Sequence, residues 1–103
     1  MKPIKNYEVL PTALQEFIEA RNWYAGLKVK GLSNRFAKEI KITINHILNN
    51  PGAYAVRYKS VRIAHTKKFP YAIHFFISNE SIIITAIIYE RRDPELTFDR
   101  AFQ

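Results

Sequence analysis

Apolar positions recur along the chain with two different periods. Between Thr12 and Leu27, the residues Leu14, Phe17, Ile18, Arg21 and Tyr24 follow one another at helical spacing, which predicts a first helix. Thr12 and Gln15 have the spacing of a capping box at its start, directly after the helix-entering Pro11. Gly31 suits a left-handed turn after this helix. From Ser33 a stricter stripe of Phe36, Ala37, Ile40, Ile44, Ile47 and Leu48 predicts a second helix, stopped by Asn49-Asn50-Pro51-Gly52. Beyond that point the period changes. Residues 53–58, 61–66, 71–77 and 81–90 read as four strands, with tight turns at Lys59-Ser60 and at Ser78-Asn79-Glu80-Ser81. Residues 6–10 form a further short strand candidate before the helices, and the tail from Asp93 can add one helical turn.

The order β-α-α-β-β-β-β predicts an α+β fold: a small antiparallel β-sheet with an N-terminal helical hairpin packed on one face. Alternation along the strands assigns the faces. Val61 and Ile63, then Tyr71, Ile73, Phe75 and Ile77, then Ile82, Ile84, Ala86 and Ile88 are expected to meet the helices. The opposite parity is expected to build an open face holding Arg62, Ala64, His74, Phe76, Ile83, Ile87, Tyr89 and Arg91. An apolar and aromatic patch of this kind, rimmed by cations, suits an interaction surface.

The length of 103 residues allows one domain, spanning 1–103, with one modest core. With no cysteine, disulfides and thiolate metal sites are excluded. No apolar run approaches the ~20 residues of a membrane helix, and the first ten residues carry three charges and a proline. A soluble, cytoplasmic protein is expected. The formal charge is +7, and its distribution is uneven: between Glu39 and Glu80 there is no carboxylate, while Lys41, Arg57, Lys59, Arg62, Lys67 and Lys68 fall in that interval. Such a field draws polyanions or an acidic partner. Three scattered histidines with no carboxylate at ligand spacing argue against a metal site, and no cofactor motif is present.

Several segments in a fixed order carry a resemblance. They are Pro11 and Ala13 entering the first helix, Trp23-Tyr24, "GLSNRF" at 31–36, "NPGAY" at 50–54, Arg62 ahead of "KFPYAIHFFI" at 68–77, and "AIIYERRDP" at 86–94. Together they resemble the RelE/ParE toxin superfamily of bacterial type II toxin–antitoxin modules, on its ParE-like side, which includes plasmid-stabilisation toxins. The resemblance implies a toxin neutralised by a cognate acidic antitoxin. ParE-like members act by binding DNA gyrase; RelE-like members are metal-independent, ribosome-dependent mRNA endonucleases. A third reading is a degenerate member that only binds its partner.

RelE-like nucleases place an Arg just after the aromatic that opens the third strand of the meander, where this chain has Ala72. They also carry a second Lys where Ala64 stands, and Tyr89 stands where ParE-like relatives often have His. If the chain is a nuclease, its candidates are Arg62, His74, Tyr89 and Arg91, since cleavage needs a base, cations for the charged phosphorane and an acid. For target or antitoxin binding the candidates are Arg62, Lys67, Lys68, Phe76, Ile87, Tyr89, Arg91 and Arg92.

Overall fold

A computed structural model describes residues 1–90. Strand β1 (Asn6–Val9) leads into helix α1 (Pro11–Gly26) and helix α2 (Leu32–Asn49). A short 3-10 turn, Pro51–Ala53, then precedes β2 (Val56–Tyr58), β3 (Val61–His65), β4 (Tyr71–Ser78) and β5 (Ser81–Tyr89). The strands form one sheet in the order β1-β5-β4-β3-β2. The meander β2 to β5 is antiparallel, as expected, but β1 joins β5 in parallel, so the sheet is mixed. No hairpin links β1 to β5; two helices and three strands separate them, and a strand freed from a hairpin can take the parallel orientation.

Local chemistry fixes the helix ends. Leu10 is extended (φ −66°, ψ 154°), as a residue before proline must be, and Pro11 occupies the first helical position with its φ already set. Thr12 therefore lies inside the first turn, and the expected capping box is not made. Gln15 instead donates to Glu19 Oε1 at 3.1 Å. Gly31 sits at φ 75°, in the left-handed region, and serves as the N-cap of α2. Asn79 and Glu80 both have positive φ, 48° and 64°, the geometry of a two-residue turn whose twist matches the β4–β5 hairpin. The predicted strand over 53–58 shortens to Val56–Tyr58 because Pro51 opens the 3-10 turn ahead of it.

Both helices pack on the same face of the sheet, as the complementary stripes predict. Phe36, Ile40, Ile44 and Ile47 of α2 join Ala13, Ala20 and Tyr24 of α1 against Ala64, Ile73, Phe75, Ile82, Ile84 and Ile87. The small Ala13 and Ala20 let α1 approach the strands closely. At one end of this core, Tyr24, Phe36, Phe69 and Tyr71 form an aromatic cluster with ring centroids 4.9–5.5 Å apart along its edges. Edge contacts of this kind add to the area the rings bury.

The expected assignment of faces holds on β4 and on the first half of β5, and fails elsewhere. His74 pairs with Ala86, but Phe75 pairs with Ile84, so Thr85 is an extra residue in β5. A bulge of one residue reverses every side chain beyond it. Ile82 and Ile84 face the helices before the bulge; after it, Ile87 opposite Ile73 and Tyr89 opposite Tyr71 do so. Ile87 is buried at 2% exposure, and Tyr89 stacks edge-on against Tyr71 at 5.8 Å. Ala86 and Ile88 move to the other face. On β3, Arg62 pairs with Phe75 and Ala64 with Ile73, which places both on the helix side and turns Val61 and Ile63 away. Ala64 is completely buried there, and Thr66 nearly so.

Candidate functional site

The face turned away from the helices is continuous and mostly apolar. Phe76 lies opposite Ile83, His74 opposite Ala86, and Ala72 opposite Ile88. Ile63 flanks His74 on the other side, and Val61 pairs with Tyr58 of the edge strand. Phe76, Ile83, Ile88, Ile63 and Val61 are each half-buried. Both described helices pack on the opposite side of the sheet.

A polar contact crosses this face. The Tyr58 hydroxyl is 2.9 Å from His74 Nδ1, with the rings 5.9 Å apart. The phenol donates when Nδ1 is unprotonated and accepts when it carries a proton. The contact spans β3 and ties the short edge strand β2 to β4. Thr85, the bulge residue, donates its hydroxyl to the His74 carbonyl at 3.3 Å, so the bulge is itself held in place. Sequence reasoning missed Tyr58; the hairpin register that brings it over His74 follows from the turn at Lys59, whose φ is 49°.

The structure divides the candidate residues among different surroundings. His74 and Phe76 lie on the face turned away from the described helices, as expected, and both are half-buried. Arg62 does not: its guanidinium donates through Nη1 to the Tyr54 carbonyl at 2.5 Å, and Tyr54 packs on buried Phe75 at 5.7 Å. Arg62 thus anchors the segment entering β2. Ile87 is core. Tyr89 ends β5 on the helix side, about half exposed. Lys67 and Lys68 are exposed in the β3–β4 loop, and the Lys67 N–H donates to Glu39 Oε1 at 3.0 Å. Arg91 and Arg92, with the helical turn expected of the tail, lie outside the described residues. A base, a cation and an acid must converge on one phosphate to cleave it. His74 projects from one face, and Arg62 and Tyr89 from the other.

The helix-side end of the sheet holds a phenol cluster. Burial pushes the Tyr71 hydroxyl up to about 12, helped by the neighbouring Tyr24, to which it donates, and by Tyr89. Burial also raises Tyr24, while the hydrogen bond from Tyr71 opposes that shift. Tyr54 is raised by burial as well. Beside the bulge, the Ile87 N–H lies beyond the part of β5 that β1 covers, since the β1 pairing stops at Ile84. Glu16 of α1 accepts it through Oε1 at 3.1 Å. Among the described residues no three His, Cys, Asp or Glu side chains gather as a metal site requires, and no helix is long and apolar enough to cross a membrane.

Three comparisons bear on this arrangement. A family model described as the ParE toxin of the type II toxin–antitoxin system parDE matches residues 7–94. No curated protein sequence matches the chain. Among solved structures, a chain described as "Chromosomal ParDE TA system from P. aeruginosa" superposes with a TM-score of 0.73, covering 85% of this chain and 98% of that one at 14% identity. At that identity the superposition speaks for the fold, which is the α+β arrangement described above.

Proposed function

The chain belongs to the ParE toxin family of type II toxin–antitoxin systems, and on that premise we propose that it is a single cytoplasmic toxin domain that acts by binding DNA gyrase. A cognate acidic antitoxin neutralises it. The observation that carries the choice of binding over cleavage is the division of His74 from Arg62 and Tyr89 between opposite faces of the sheet. Ala64, in the place where a nuclease cation would be expected, is fully buried, with no room for a charge. Binding needs neither metal nor cofactor.

The sheet face turned away from the described helices is the docking surface for the antitoxin in this reading. Phe76, Ile83, Ile63 and Ile88 supply the apolar area, with the Tyr58–His74 pair among them. Lys67 and Lys68 at the neighbouring loop, with Arg91 and Arg92, supply charge that an acidic partner satisfies. The test is to examine the adjacent reading frame for a small acidic protein and to co-purify its product with this chain. Phe76→Lys is expected to abolish capture while leaving the melting temperature within a few degrees. Retained capture refutes the docking surface. The reading also predicts growth arrest on induction that survives His74→Ala; codon-phased cuts in a reporter mRNA that vanish in that variant would favour the nuclease instead.

A further inference from the structure

The outer side of α2 carries a second surface with a different chemistry. Asn34, Lys38, Lys41, Asn45 and Asn49 recur at intervals of three and four, so they form one stripe along the helix, with Arg35 beside it. All are exposed. The opposite stripe, Phe36, Ile40, Ile44 and Ile47, is buried in the core, so the outer stripe is held on a fixed support. An α-helix of 18 residues extends about 27 Å, and Arg35 to Lys41 span about 9 Å of it. Lys28 and Lys30, in the turn just before α2, extend the positive run at one end.

The stripe carries cations without compensation. Its helix has a single carboxylate, Glu39, which is half-buried and accepts the Lys67 N–H at 3.0 Å. Among the described residues, Glu90 lies 3.3 Å from His65 Nδ1, away from α2, and Arg35, Lys38 and Lys41 make no ion pair. Cations interleaved with amide side chains suit a row of phosphate and sugar oxygens, to which Lys, Arg and Asn all donate. Protein interfaces instead centre on buried aromatic or aliphatic anchors, and this stripe offers only the partly exposed Ile42 at its border. The exposed side of a helix can lie against the wide major groove of a B-form duplex, whereas the deep, narrow major groove of A-form RNA does not admit one.

We propose that the outer face of α2, through Arg35, Lys38 and Lys41, lies along the phosphate backbone of duplex DNA without reading its sequence. This surface is on the other side of the sheet from the face proposed to dock the antitoxin. It therefore stays open whether or not a partner covers that face, and it does not depend on gyrase being the target.

The test is fluorescence anisotropy with a labelled, arbitrary-sequence DNA duplex of about 20 base pairs, titrated between 50 and 200 mM salt. Each phosphate contact contributes a slope of about −0.9 in log affinity against log salt. The variant Arg35→Gln/Lys38→Gln/Lys41→Gln is expected to flatten the slope by about 2.7. Its affinity deficit relative to wild type then shrinks about 40-fold over that salt range. The control Lys2→Gln/Lys5→Gln/Lys59→Gln removes the same charge at other exposed positions and is expected to keep most of the slope. Single Lys38→Gln and Lys41→Gln variants each flatten it by about 0.9. No binding at 50 mM, equal losses in the two triple variants, equal affinity for an RNA duplex, or displacement of DNA by polyglutamate as readily as by unlabelled duplex overturns the proposal.

Discussion

Replacing Ile87 and Ile88 in turn with alanine tests the bulge at Thr85, on which the whole distribution of side chains along β5 depends. The two residues are adjacent and chemically identical, and simple alternation from Ile82 puts Ile88 in the core and Ile87 outside. The structure reverses this: Ile87 is 2% exposed beneath α1, and Ile88 is half-buried on the face turned away from the described helices. Ile→Ala removes roughly three methylene equivalents at about 0.8 kcal/mol each. At a site fully enclosed by Ile73 and α1, a residual cavity adds to this, giving about 3–4 kcal/mol. Ile88 keeps part of its exposure and leaves no closed cavity, so about 1 kcal/mol is expected there. For a chain of this size, each kcal/mol moves the melting temperature by about 4–8 °C. Ile87→Ala should therefore melt about 12–32 °C below wild type, and Ile88→Ala no more than about 8 °C below it. Thermal melts followed by far-ultraviolet circular dichroism make the comparison. Equal losses, or a larger loss for Ile88→Ala, would refute the register reversal and return Ile87 to the exposed face.

Glu16→Ala leaves the Ile87 N–H without its acceptor and should cost about 1–3 kcal/mol in urea unfolding, while Glu16→Gln, which keeps an acceptor oxygen, should cost less than half as much. Equal costs would remove the hydrogen bond from the account. Tyr71, raised to about 12 against 10 in the unfolded chain, contributes stability that is complete below pH 10 and is lost as pH rises toward 12. Urea midpoints measured from pH 8 to 12 should fall across that window, and fall less in Tyr71→Phe; the same decline in both proteins would contradict the buried phenol.

Element types were legible in the sequence because long stretches keep one period. The stripe from Phe36 to Leu48 tolerates no strand reading, and the paired strands at 71–78 and 81–89 are separated by a turn of two polar residues. The faces were less legible for a specific reason. Alternation carries forward only while the register is unbroken, and nothing in "IIITAII" marks Thr85 as unpaired, since both parities are apolar there. On β3 the larger side chains, Val61 and Ile63, looked like core. The partner strand decides otherwise: Arg62 pairs with Phe75 and Ala64 with Ile73, so both share the helix side, where Arg62 donates to the Tyr54 carbonyl. Of the candidate site, His74 and Phe76 were placed correctly from parity alone. Arg62, Ile87 and Tyr89 were misplaced by these two register effects, and Tyr58 was missed because its meeting with His74 crosses an intervening strand.

The proposed action, growth arrest by occupying gyrase and not by cutting RNA, is tested by a supercoiling assay with purified gyrase and purified toxin. Added toxin is expected to inhibit supercoiling in proportion to its concentration, the His74→Ala and Tyr89→Phe variants to inhibit equally well, and the antitoxin to restore activity. Full supercoiling at saturating toxin, together with mRNA cleavage on ribosomes that His74→Ala abolishes, would contradict it.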